Sequence, residues 1–256
     1  MRSLLRVGAV AACFGLISVS AVADPDSDRR GNPHGSAFKL FGNAEMTRDP
    51  ENRENIVLRI TSQSDFAAAG ALRDLRHVKL WHLDHQLNFH RAFVAPHTCG
   101  GGSPRMTLLI DADGDGKFEQ FPNGPDFAAH GHVRPPFAGC EMSTPTGADD
   151  EPSNSTLVWR FEDLTDEQVR WEVTPSTATN PPIGPIGGAG ALAWDAFEAA
   201  ISGAFRDHQV LRAIFLEDFS PTPGTAYYDL ITVFDLTLGT KGQEKAPKPG
   251  RDRDDD

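Results

Sequence analysis

The sequence predicts a mainly β domain, a jelly-roll-like antiparallel β-sandwich with one packed α-helix. Several short runs alternate apolar and polar residues, with turn signals between them. A single stretch carries apolar residues at helical spacing, and no regular strand–helix alternation suggests a parallel sheet.

In chain order, Glu54 to Ser64 is β-branched and alternating. Lys79 to Phe93 alternates for longer, with Trp81, Leu83, His85, Leu87 and Phe89 on one face of a strand. The opposite face carries His82, Asp84, Gln86, Asn88 and His90. Arg105 to Asp111 turns Met106, Leu108 and Ile110 inward, and Leu157 to Phe161 groups Leu157, Trp159 and Phe161. Leu192 to Phe205 places Trp194, Phe197, Ile201 and Phe205 in one apolar stripe, which predicts a helix. Val210 to Glu217 sets Val210, Ile214 and Leu216 on one face around Arg212. Tyr227 to Leu238 is apolar on much of both faces and predicts a long central strand.

Residues 1–23 have the layout of a secretory signal peptide: Arg2 and Arg6, an apolar run from Val7 to Val19, and the small-x-small step Ala21-Val22-Ala23. The run is shorter than the ~20 residues of a membrane span. Val10-Ala11-Ala12-Cys13 is a competing lipoprotein box, but the apolar run continues past Cys13. A secreted or periplasmic protein without a transmembrane segment is expected. Residues 24–36 read as a disordered lead-in, 37–239 as a single domain and 240–256 as a charged tail.

Processing removes two arginines and no acid, so the formal charge moves from −12 to −14. Acidity of this order argues against nucleic acid as a partner. Of three cysteines, Cys99 and Cys140 remain, and an oxidising compartment favours a bridge between them. Closing that loop contributes about 4 kcal/mol in the chain-entropy treatment.

The run Cys99-Gly100-Gly101-Gly102-Ser103-Pro104-Arg105, followed by Asp111-Ala112-Asp113-Gly114-Asp115-Gly116 and then Cys140, resembles a family of uncharacterised secreted bacterial proteins. Arg170-Trp171 with Thr174-Pro175-Ser176 is similar to a further step of that family. Val233 to Leu238 is similar to the closing strand of jelly-roll carbohydrate-binding modules. The resemblance implies a fold and carries over no catalytic residue. The strand before Cys99 departs from the family in its richness in histidine.

Three groups are candidate sites. Asp111, Asp113 and Asp115, with Glu119 as a further oxygen donor, suit a hard cation such as calcium, which takes six to eight oxygens. The loop is not an EF-hand, because Pro122 stands where the twelfth-position acid belongs. Asp115-Gly116 between Met106–Ile110 and Phe118–Phe121 also predicts a type I′ hairpin, and the two are compatible. His82, Asp84 and His90 on one strand face, with His130 and His132 on another segment, form an alternative metal set without a motif spacing. Trp81, Trp159, Trp171 and Trp194 suit a sugar-stacking platform, although their neighbours direct each towards a core.

No nucleophile elbow or spaced carboxylate pair is present. The expected function is a non-catalytic extracellular binding module for carbohydrate or a cell-surface component. The alternatives are a metal-dependent hydrolase built on the histidine face and a structural surface or matrix protein.

Overall fold

The computed structural model describes residues 37–62, 68–94, 104–120, 123–132, 159–166, 169–174, 191–217, 224–239 and 243–245. All of them belong to one compact unit, Asn32–Asp256. The expected signal peptide, lead-in, Cys99–Cys140 bridge and most of the tail lie outside the described residues.

Two antiparallel sheets form a β-sandwich. The first contains β1 (Lys39–Phe41), β4 (Ala69–Val78), β10 (Gln209–Glu217), β6 (Arg105–Asp111), β7 (Phe127–His132) and β9 (Arg170–Thr174), side by side in that order. The second is centred on β11 (Gly224–Val233). One edge of β11 pairs first with β3 (Ile56–Ser62) and then with β12 (Leu236–Leu238), its other edge with β5 (Leu87–Val94). β2 (Ala44–Arg48), β13 (Gln243–Lys245) and β8 (Arg160–Asp163) extend β3, β12 and β5. The late strands β10 and β11 insert between earlier pairs, β10 between β4 and β6 and β11 between β3 and β5. That interleaving is the jelly-roll topology.

Hydrophobic alternation explains most of the core. Leu58 and Ile60 of β3, Leu87 and Phe89 of β5, and Met106, Leu108 and Ile110 of β6 are all buried. Across the two sheets Phe215 meets Phe89 and Tyr228 edge-on, at 4.8 Å in both cases. The helix α1 (Trp194–Ala204) buries Trp194, Phe197 and Ile201, as its stripe predicts. Phe197 stacks on Trp171 of β9 at 5.4 Å, and a Trp171–Leu192 backbone bridge ties the helix lead-in to the sheet. Gly131 lets the Trp171 ring lie directly against β7, since a Cβ there would fall 2.5 Å from the ring.

Five expectations need correction. Lys79 to Phe93 is not one strand: a 3₁₀ turn, Leu80–Leu83, precedes β5. That turn buries Leu80 and Leu83 and leaves Trp81 59% exposed, so Trp81 is not a core residue. Phe161 of β8 faces solvent at 49% exposure. A β-bulge between Val210 and Arg212 reverses the faces of β10, so Ala213, Phe215 and Glu217 point inward with Val210 while Ile214 does not. The segment Tyr227 to Leu238 is a hairpin, β11 and β12, with Phe234 at φ +57° in its turn.

Charged groups also enter the interior. Arg73 of β4 is fully buried; its guanidinium donates to the Val233 carbonyl and, at 2.5 Å, to Asp235. Burial lowers the Arg73 pKa and Asp235 opposes the shift. Arg91 pairs with Glu162, and Tyr228 donates to Glu217. Buried His208 anchors the lead into β10. Its Nδ1 lies 2.7 Å from the Phe205 carbonyl, and its Nε2 accepts the Leu80 N–H at 3.3 Å. That pattern requires a neutral ring protonated on Nδ1.

Two outcomes follow from these buried charges. Asp235→Ala removes a carboxylate from a buried guanidinium and is expected to cost about 3–5 kcal/mol in urea unfolding; a loss below ~1 kcal/mol would remove Arg73–Asp235 as a cross-sheet tie. Burial lowers the His208 pKa from 6.5, so the unfolded chain binds more protons below that value. Stability is therefore full above 6.5 and falls as pH drops through 6.5 towards the folded pKa. His208→Gln should flatten that fall in a series of Tm measurements. Comparing the two proteins separates His208 from His90, whose burial acts in the same direction, and from His85, which Asp163 shifts upward.

Candidate functional site

The acidic loop leaves the end of β6 and crosses to β7. Asp111, the last residue of β6, is fully buried, while Asp113 and Asp115 are exposed. Asp111 accepts N–H bonds from Gly114 at 2.6 Å and Gly116 at 2.8 Å, which folds the loop back over its carboxylate. Both glycines have positive φ, and a Cβ on Gly114 would lie 2.6 Å from the Asp207 carbonyl. Asp113 and Asp115 each accept an N–H two residues on, at 3.4 and 2.8 Å.

The predicted pairing of Met106–Ile110 with Phe118–Phe121 does not form. β6 pairs instead with β7, from Arg105↔His132 to Ile110↔Phe127. Asp115 lacks the positive φ that a type I′ turn needs at its first central position. Residues 112–126 are therefore a long connection. The residue that organises its far half, Asp126, escaped sequence reasoning. Its two buried oxygens accept the Ala112 N–H at 2.8 Å and the Glu119 N–H at 2.6 Å. Burial raises its pKa, the two N–H bonds lower it, and the charges of Asp111 and Asp113 raise it again. Glu119 contributes that backbone N–H, and its carboxylate does not join the three aspartates.

One carboxylate oxygen from each of Asp111, Asp113 and Asp115 lies within 4.8 Å of the others. Ligands on opposite sides of calcium are separated by about twice 2.4 Å, so the trio fits around one such ion. Water and backbone carbonyls would have to complete the shell. Among the described residues no other group of histidine, cysteine and carboxylate converges in this way.

The histidine set is divided between a 3₁₀ turn and the two sheets. His82 sits in the 3₁₀ turn with its Nδ1 accepting the Lys79 N–H at 2.9 Å. Asp84 follows that turn and is exposed. His90 lies on β5, its ring 5.1 Å from Phe161. His130 and His132 belong to the other sheet. His130 is held between Thr107 at 2.9 Å and Thr174 at 3.2 Å, and His132 contacts Glu172 at 3.1 Å. The structure thus gathers His130 with His132 but separates both from His82, Asp84 and His90. Of the four tryptophans, Trp171 and Trp194 are buried, Trp159 is half-buried and Trp81 is exposed.

No family model, no curated protein and no solved structure matches this chain. No helix among the described residues is long and apolar enough to cross a membrane.

The three aspartates differ in what they support. Asp111→Ala removes the acceptor for two loop N–H groups and should cost about 1–3 kcal/mol in a metal-free urea titration. Asp113→Asn, at an exposed position, should change the same titration by no more than about 0.5 kcal/mol. Equal losses would mean that Asp111 is not the loop's internal scaffold.

Proposed function

We propose that this protein is an exported, non-catalytic binding module of jelly-roll form, with a divalent cation such as calcium held by its acidic loop and a carbohydrate as its ligand. The observation that carries the proposal is the meeting of Asp111, Asp113 and Asp115 around two positive-φ glycines. Hard oxygen ligands on a tight turn at a sheet edge suit a structural cation, which would stiffen the connection between β6 and β7. The sandwich supplies a rigid frame and leaves aromatic and polar side chains on its outer surface, including Phe161. The division of the histidines between a 3₁₀ turn and the two sheets gives a metal-dependent hydrolase less support. The proposed export rests on residues 1–23 alone.

Calcium is expected to raise the Tm of the mature protein, by an amount set by about 2.7 kcal/mol at a hundredfold excess over Kd. EDTA should reverse the rise, and an Asp113→Asn, Asp115→Asn double variant should lack it. In affinity electrophoresis, gels containing neutral soluble polysaccharides should retard the protein. Absence of the thermal shift would sink the cation, and absence of any retardation would sink the carbohydrate ligand.

A further inference from the structure

On the outer face of the second sheet, β11, β5 and β8 carry a transverse row of side chains in register. Asp229 pairs with His90, and His90 with Phe161. Trp159, immediately before β8, continues the alternation of Phe161. The loop from 49 to 55, between β2 and β3, closes over the other end of the row. Asn55 donates its amide to Asp229 at 2.8 Å, and Asp49 receives the Glu51 N–H at 2.9 Å. The Asp49 N–H in turn donates to the Asn55 carbonyl at 3.1 Å, which shuts the loop. An open cleft of about 340 Å³ results, lined among others by Asp49, Glu51, Asn55, His90, Trp159 and Asp229.

We propose that this cavity is the ligand site and that it takes a single neutral sugar unit, with Trp159 as the stacking wall and Asp49, Asn55, His90 and Asp229 as the hydroxyl-binding groups. The placement rests on the binding-module function proposed above and deepens it by naming the site and the ligand class. Its volume is near the lower end of ligand pockets, about 300–1,000 Å³, and suits one ring with bridging water rather than a packed oligosaccharide. Among the described residues three carboxylates line it and no Lys or Arg does, which disfavours uronic acids, sulfated glycans and phosphates. A sugar hydroxyl donates to a carboxylate and accepts from an amide, which matches a wall of Asp and Asn. Burial lowers the His90 pKa against the pull of Asp229, favouring a neutral ring that both donates and accepts.

The cavity is largely preformed. Asp49 and Asp229 are only 4% and 8% exposed, and backbone or amide N–H groups hold both carboxylates before any ligand arrives. Little ordering cost therefore attends binding.

The test is saturation-transfer NMR and calorimetry on the full mature protein with methyl glycosides of glucose, galactose, mannose and N-acetylglucosamine, with choline and glucuronate as comparators. At least one neutral glycoside should bind. Trp159→Ala should weaken that binding about tenfold or more, and Asp229→Asn should also weaken it. Trp81→Ala, an exposed tryptophan that does not line the cavity, should leave it unchanged. Thermal melts exclude unfolding as the cause, and Trp159→Ala decides the matter if Asp229→Asn disturbs the loop. If wild type binds a neutral glycoside and Trp159→Ala binds it equally well, the cavity is not the site, while the carbohydrate-binding function survives. Binding of choline or glucuronate without any neutral glycoside overturns the ligand class. If wild type binds no glycoside and no polysaccharide, site and function fall together.

Discussion

Arg73 sets a constraint on which much of this sandwich depends. A guanidinium with no exposed surface begins on the first sheet and ends on the second, at the Val233 carbonyl and Asp235. Desolvating such a charge costs several kcal/mol, so the conformation that compensates it is strongly selected. The acceptors exist only because the chain reverses between β11 and β12, with Phe234 at positive φ. Elsewhere Arg91–Glu162 ties β5 to β8 and Tyr228–Glu217 ties β11 to β10, and the Phe89–Phe215–Tyr228 cluster packs between the two sheets. Burial and the Glu217 charge keep the Tyr228 hydroxyl protonated, so it acts as a donor to that carboxylate. Apolar packing supplies most of the gross stabilisation, but it is non-directional. The charged ties are directional and restrict how the sheets can slide.

The outer-face row depends on the same frame. β11 can align Asp229 with His90 only if its register with β5 is fixed, and that register shifts beyond Asp229, where Leu230 takes φ +48°. The bulge frees β11 to turn its far half towards β12. The acidic loop likewise borrows its shape from neighbours: Asp207 crowds Gly114 and the Gln209 amide donates to the Gly114 carbonyl at 3.2 Å. Both candidate sites are consequences of strand ends placed by the core.

The sequence was most legible where burial is one-sided and apolar. β3, β6 and α1 follow their hydrophobic periods almost residue for residue. It misled where a single residue broke the period. The bulge near Arg212 inverted the inward set of β10, and the 3₁₀ turn at Leu80–Leu83 buried Leu80 with Leu83, three residues apart, where a strand would have buried Trp81 with Leu83. β4 was invisible for a different reason. Its inward positions are Ala71, Arg73 and Leu75, so small and charged side chains stand where an apolar run would be sought. Sequence alone gives no means of pairing Arg73 with Asp235, which lies 162 residues away.

The same logic separates the two kinds of site. Asp111, Asp113 and Asp115 are close in sequence, and a tight loop can gather them without help, so their convergence was predictable. His82, Asp84 and His90 shared a face only because a continuous strand was assumed. Once the 3₁₀ turn removes His82 from β5, His90 belongs to a different neighbourhood. Its cross-strand partners there are Asp229 and Phe161, and Asn55 reaches the row from a loop. Those four residues come from four segments and share no periodicity. Their meeting is a property of the jelly-roll order, in which β11 lies between β3 and β5. A site assembled in this way has no motif, and only the fold can bring it into view.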